Sequence, residues 1–181
     1  MVVFSPISYR FTVKDYHRMS EADVFAPDDR VELLDGRVYS MAPIGSRHAG
    51  CVKRLVSLFG PGVGQRAVLS VQDPMYLDDL SEPQPDFALL RPRSDFYGGE
   101  HPRPSDVLLA VEVAETTLEY DLHDKTPRYL GAGIPEVWVV DVVREVIHVA
   151  TTAVTQTFTR GETVAPGAFP DLVLEVAAIL G

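Results

Sequence analysis

One run constrains this chain more than any other: Val107-Leu-Leu-Ala-Val-Glu-Val113, apolar at every position except Glu112. Such a run reads as a buried strand. A carboxylate inside it is costly unless it is paired, hydrogen-bonded or coordinating a metal. Either the strand carries a site, or alternation turns Glu112 toward solvent at a sheet edge.

The segments around this run give it a sheet and helices to belong to. Thr12 followed by Asp15 has the form of a helix cap, and Val13, Tyr16 and Met19 keep a helical spacing, which predicts a helix over residues 12 to 21. In Val31-Glu-Leu-Leu-Asp-Gly-Arg-Val-Tyr39, Asp35-Gly36 stands between two extended apolar runs and predicts a tight hairpin with Glu32 on its first strand. Ser46 opens a helix whose apolar face is Cys51, Val52, Leu55, Val56 and Phe59, with Gly60-Pro61-Gly62 as its stop. Extended segments follow at Ala67 to Val71, Met75 to Leu77, Asp86 to Leu90 and Val107 to Ala114.

From Leu118 to about Ala132 the pattern is helical again, with Gly131 and Gly133 at its end. Pro127 means that this helix either begins near Thr126 or is kinked. Strands are predicted at Glu136 to Val143, Glu145 to Ala150 and Val154 to Arg160, and the chain closes with a strand near Phe169 to Val176 and a helical turn through Leu180. The class is α/β or α+β: a mixed sheet with about three helices. At 181 residues, with no internal repeat or linker, it forms one domain over residues 1 to 181, long enough to bury roughly 70% of its unfolded surface.

Composition narrows the setting. A hydrophobic share of 46% and a charged share of 23% are those of a globular domain. Cys51, the only cysteine, rules out an intrachain disulfide or a cysteine-rich metal site. The stretch MVVFSPISYRF lacks the basic and apolar regions of a secretory leader, and nowhere do about 18 apolar residues run together, so the expectation is a cytoplasmic protein without a membrane span. The balance of 26 acidic against 16 basic residues, a formal charge of -10, argues against coating nucleic acid by bulk electrostatics. Acids clustered at a metal site would answer part of that objection by binding cations.

Those acids are identifiable. Asp86 follows Gln84-Pro85 at the start of a strand, Glu112 lies in the apolar run, and Lys125 ends Glu119-Tyr-Asp-Leu-His-Asp-Lys125 on the segment that leaves the sheet and crosses back over it. Two carboxylates on neighbouring strands with an ammonium nearby can hold Mg²⁺, orient water and offset charge on a phosphate. Taken alone, Lys125 reads more readily as a solvated helix residue; its combination with the two carboxylates is what points to a site.

The ordered set Val31-Glu-Leu-Leu-Asp-Gly-Arg, Ser46-Arg-His48, Pro85-Asp86, Val111-Glu-Val113, Tyr120-Asp-Leu-His-Asp-Lys125 and Gly133-Ile-Pro-Glu-Val-Trp-Val-Val-Asp141 resembles the Uma-type restriction endonuclease family, grouped in the PD-(D/E)xK nuclease superfamily. The resemblance runs from Thr12 to Leu180. It implies a restriction-endonuclease-like fold, a mixed sheet of four or five strands flanked by helices with an added β-hairpin region. It also implies a metal site formed by Asp86, Glu112 and the main-chain carbonyl of Val113. Two departures stand out. The third position of the superfamily's acidic motif is Ala114 here, so the lysine comes from Lys125 and Glu32 joins from the hairpin. The stretch after Glu112-Val113 reads Ala114-Glu115-Thr116-Thr117 in place of a Leu-Ser-Pro-like one. On this resemblance Asp86 and Glu112 hold Mg²⁺ or Mn²⁺, Lys125 orients or deprotonates a water, and Glu32 fixes a second metal or its water.

Other residues carry two readings each. His48 either contacts a phosphate or supports Glu32, or caps its helix at the surface. His123 either approaches the metal or is unrelated to it. Tyr129, one turn after Lys125, supports the site by hydrogen bonding or packs beneath the sheet, and Asp121 reads as a cap of the same helix. Trp138 and Cys51 read as core, Asp141 as a turn, and Gly60-Pro-Gly-Val-Gly64 as a turn rather than a phosphate loop.

Three functions follow from these residues: a DNA endonuclease working as a homodimer, a nuclease-fold protein that binds without cutting, and a phosphoesterase for a small nucleotide-like substrate. The acid, acid, lysine order points to the first, and the charge of -10 to the second. A pocket too narrow for duplex would point to the third.

Overall fold

The computed structural model of the protein describes residues 8–181, so residues 1–7 of the MVVFSPISYRF stretch lie outside them. Helix α1 (Val13–Glu21) starts as its capping residues require. Thr12 Oγ1 accepts from the Asp15 N–H at 3.1 Å, and Asp15 Oδ2 accepts from the Thr12 N–H at 3.0 Å. Strands β1 (Val31–Leu34) and β2 (Arg37–Ser40) form the expected hairpin. Its two turn residues, Asp35 and Gly36, have φ of 50° and 71°, the left-handed pair that matches the twist of the flanking strands.

Helix α2 (Ser46–Val63) runs past the expected stop at Gly60-Pro61-Gly62. Burial explains the extension: Val63 continues the face of Leu55 and Phe59, and all three are essentially inaccessible. The helix ends at Gly64, whose φ is 53°. Strand β3 (Val68–Ser70) follows. Met75 to Leu77, expected as a strand, instead enters a tight loop in which the Met75 and Leu77 N–H groups donate to Pro83 and Ser81 carbonyls. The two residues are buried all the same, which is why they read as a strand.

Strands β4 (Phe87–Leu90) and β5 (Val107–Ala114) come next. The chain then enters a helical crossover built from α3 (Leu118–Tyr120), a wide π-type turn (Asp121–Lys125) and α4 (Thr126–Gly131). The Thr126 N–H reaches back five residues to the Asp121 carbonyl. This wide turn is how the crossover accommodates Pro127: α4 begins at Thr126, as one of the two readings has it, with Pro127 in its first turn, where a missing N–H costs little. Strands β6 (Val137–Asp141), β7 (Val146–Ala150) and β8 (Thr155–Thr159) complete the main sheet. A small pair, β9 (Thr163–Val164) with β10 (Leu174–Glu175), leads into α5 (Val176–Leu180).

Among the described residues the main sheet has six strands in the order β3-β4-β5-β6-β7-β8, beyond the four or five the resemblance implies. Among the described residues only β5 and β6 are parallel, so of the connections described the crossover is the one that must pass over the sheet. Alternation along β5 decides the rest. Leu109, Val111 and Val113 pack with Leu55, Phe59, Trp138 and Ile179 on one face, beneath α2 and α5. Ala110 packs with Tyr129, Ile134 and Val137 on the other, beneath α4. Glu112, two residues from Ala110, must therefore point at the crossover. A third cluster, Val13, Tyr16 and Leu33, fastens α1 to the hairpin. Among the described residues no helix is long and apolar enough to cross a membrane.

Candidate active site

Glu32, Asp86, Glu112 and Lys125 are brought together, only 2%, 8%, 2% and 3% exposed. The solvent-facing alternative for Glu112 is thereby excluded, as is the solvated-helix reading of Lys125. Lys125 Nζ lies 3.0 Å from Glu32 Oε2 and 3.2 Å from Glu112 Oε1. The wide turn aims this side chain inward, since it ends at Lys125. The hairpin delivers Glu32: the Glu82 N–H donates to the Leu33 carbonyl at 2.8 Å, and the Gln84 N–H donates to Glu32 Oε2 at 3.1 Å. Arg128 ties the hairpin turn to α4, its Nε donating to Asp35 Oδ2 at 2.8 Å.

Asp86 sits just before β4, where its Oδ2 accepts the Val113 N–H at 2.9 Å and faces His48 Nε2 at 2.9 Å. Its Oδ1 accepts from the Gln72 amide at 3.2 Å. Burial pushes the Asp86 carboxyl upward, but His48, the Val113 N–H and Gln72 outweigh it and leave it below the usual carboxylate value. Of the two readings of His48, the one inside the site is realised, against Asp86 rather than Glu32. Its Nδ1 is buried without a hydrogen-bond partner among the described residues.

Glu112 behaves differently. Burial raises its carboxyl well above the usual value, and Asp121, Asp86 and Glu32 add to this while Lys125 opposes it. Tyr129, fully buried, donates its hydroxyl to Glu112 Oε1 at 2.6 Å, so it both packs beneath the sheet and holds the carboxylate. Both bonds fall on Oε1; no hydrogen bond to Oε2 exists among the described residues. For Lys125, burial favours the neutral amine, yet Glu112, Glu32 and Asp121 overcome it and raise its proton affinity. At neutral pH it is an ammonium.

Asp121 belongs to the site rather than to a helix cap: it is buried and accepts from Thr117 Oγ1 at 2.6 Å. Burial, with Asp86 and Glu32, pushes it up to about 6 against the opposing Lys125 and Thr117. Tyr120 donates to Glu32 Oε1 at 3.3 Å. Gln72 and Tyr120 escaped the sequence reading, since neither has a spacing that marks it; only the loop after β3 and the crossover bring them in. His123 is exposed and pairs with Glu119 at 3.3 Å, away from the site. Trp138 is core, and Asp141 Oδ1 accepts the Val143 and Arg144 N–H groups as a turn.

These residues floor a cleft of about 660 Å³. Its lining includes Tyr39 to Gly45, Glu115 to Thr117 and Tyr120. Among the described residues no group of three or more His, Cys, Asp or Glu is arranged to hold a metal ion. The donor chemistry nevertheless fits a hard divalent cation: five carboxylates line the cleft against two cationic side chains, and Glu112 Oε2 carries no hydrogen bond. The fit is to Asp86 and Glu112, with the cation supplying charge that one lysine does not.

The fold has a solved counterpart. A crystal structure from Anabaena variabilis, described as a putative nuclease belonging to DUF820, superposes with a TM-score of 0.73 at 15% identity, covering 94% of this chain and 97% of that one. At that identity the likeness speaks for the fold. No curated protein matches the chain. The sequence itself is matched over residues 13–178 by Uma2, a family described as "Putative restriction endonuclease", and the chain belongs to that family.

Proposed function

We propose that the protein is a Mg²⁺- or Mn²⁺-dependent endonuclease that hydrolyses DNA phosphodiester bonds. One observation carries this reading: a buried ammonium held between two glutamates, with a third carboxylate, Asp86, in the same cleft. Asp86 and Glu112, with the main-chain carbonyl of Val113, would hold the metal, whose chemistry is to neutralise a phosphate oxygen and lower the pKa of a bound water. Lys125, being charged, holds its proton; of the two roles open to it, orienting water and offsetting charge on the phosphate is the one it performs. Glu32 fixes the Lys125 ammonium and, when metal is bound, a second ion or its water. Tyr129 keeps Glu112 in one rotamer, and His48 does so for Asp86. The proposed assembly is a homodimer, a two-fold pair being the commonest closed oligomer.

A second reading, binding without cleavage, is favoured by Asp86, both of whose oxygens already meet protein donors. Mn²⁺ titration by calorimetry on the wild type and Asp86→Ala, beside nicking of plasmid DNA, separates the two. Metal binding and nicking that are both lost in Asp86→Ala support the nuclease. Metal binding without cleavage of any DNA supports the binding role, and no metal binding refutes the site.

A further inference from the structure

Resting on the nuclease reading of this cleft, we infer that its substrate is single-stranded DNA, seated by base stacking on the Tyr39 and Tyr120 wall rather than by cations along a duplex. The two rings lie together, centroids 5.3 Å apart at 42°. Both are half-buried and line the cleft above Glu32, whose strand partner in the hairpin is Tyr39. Along the chain from Tyr39 the lining continues through Met41, Ala42, Pro43 and Ile44, the last 43% exposed. This is surface for the flat face of a base, and stacking on aromatic rings is how unpaired strands are gripped without regard to sequence.

The charges point the same way. Duplex DNA is held chiefly by lysines and arginines that displace counterions from its phosphates. Of the two cations lining the cleft, Lys125 is committed to Glu32 and Glu112, leaving Arg30 at the rim, where it donates to the Ala42 carbonyl at 3.4 Å. A base-paired strand turns its bases inward and cannot offer them to Tyr39. An unpaired strand can lay a base on the wall while one phosphate descends to the buried floor. The net charge of -10 objects to duplex binding far more than to this.

The test is fluorescence anisotropy of a labelled oligothymidine and of its duplex with oligoadenosine, in EDTA and in Ca²⁺, followed by cleavage of both in Mn²⁺. The single strand should bind and be cut in preference. Tyr39→Ala should weaken its binding roughly ten-fold, whereas Tyr39→Phe, which keeps the ring, should retain it. Ile44→Ser in the same lining should weaken it too, and serves if Tyr39→Ala fails to fold. Equal or stronger handling of the duplex, or unchanged single-strand binding in both Tyr39→Ala and Ile44→Ser, overturns the inference. Duplex cleavage lost in Asp86→Ala would leave the nuclease standing while the inference falls. Single-strand binding that depends on Tyr39, with no cleavage of either DNA, would instead remove the nuclease and support the stacking wall as a seat for an unpaired strand.

Discussion

Replacing Lys125 by methionine keeps most of the side chain's bulk and removes only the charge that Glu32 and Glu112 share. In the wild type the ammonium stands 3.0 Å and 3.2 Å from the two carboxylates, all three groups almost wholly inaccessible. Removing one member of a buried charged set strands its partners, at a cost of about 3–5 kcal/mol. For a chain of this size each kcal/mol shifts the melting temperature by about 2–4 °C, so Lys125→Met should melt roughly 6–20 °C lower. Urea unfolding followed by the fluorescence of Trp138, the only tryptophan and fully buried, reads this directly. Adding Glu112→Gln should recover part of the loss, because one stranded carboxylate becomes a neutral amide. The sign of the pH effect is fixed: Lys125 holds its proton more tightly folded than unfolded, so the stabilisation is complete below the ordinary lysine value of about 10.4 and present in full at neutral pH. A Lys125→Met loss under about 1 kcal/mol would refute the reasoning, since it would mean that Glu32 and Glu112 do not depend on the ammonium between them.

Three further outcomes follow. Asp35 is held below its usual carboxylate value, chiefly by hydrogen bonds from Arg128. Asp35→Asn, compatible with the left-handed turn, should cost about 0.2–1 kcal/mol at neutral pH. That difference, read by parallel melts, should be present above about pH 4 and vanish as pH falls through the lowered value. Burial pushes the Cys51 thiol up to about 12, so a thiol reagent at mildly alkaline pH should label it only as fast as the protein globally opens; rapid labelling would contradict its placement in the core. Gly36→Ala should cost more than about 1 kcal/mol by urea unfolding, because a Cβ there would meet Arg10 Cβ at 2.5 Å on a backbone with φ of 71°.

Much of this protein was decided locally. The Thr12–Asp15 cap, the Asp35-Gly36 hairpin and the strands around Glu112 are properties of neighbouring residues, and short-range hydrogen bonds and side-chain period carry them. Glu112 was legible as well, because a carboxylate in an apolar run has to be answered by something; Asp86 and Lys125 were read beside it, and Glu32 came only with the family resemblance. What no local pattern contains is the distance between them. Lys125 reaches Glu112 because a wide turn before Pro127 aims it inward, and Glu32 reaches both because the hairpin docks on the loop ahead of β4. Gln72, Asp121 and Tyr120 join through the same packing. The extension of α2 past its glycines and the loss of the Met75 strand have a common cause. Burial of apolar side chains against other elements outweighs the propensities of the residues that carry them. The sequence by itself determined which groups would need partners; the tertiary structure alone decided which partners they have, since contacts between distant segments depend on how the sheet and its crossover pack.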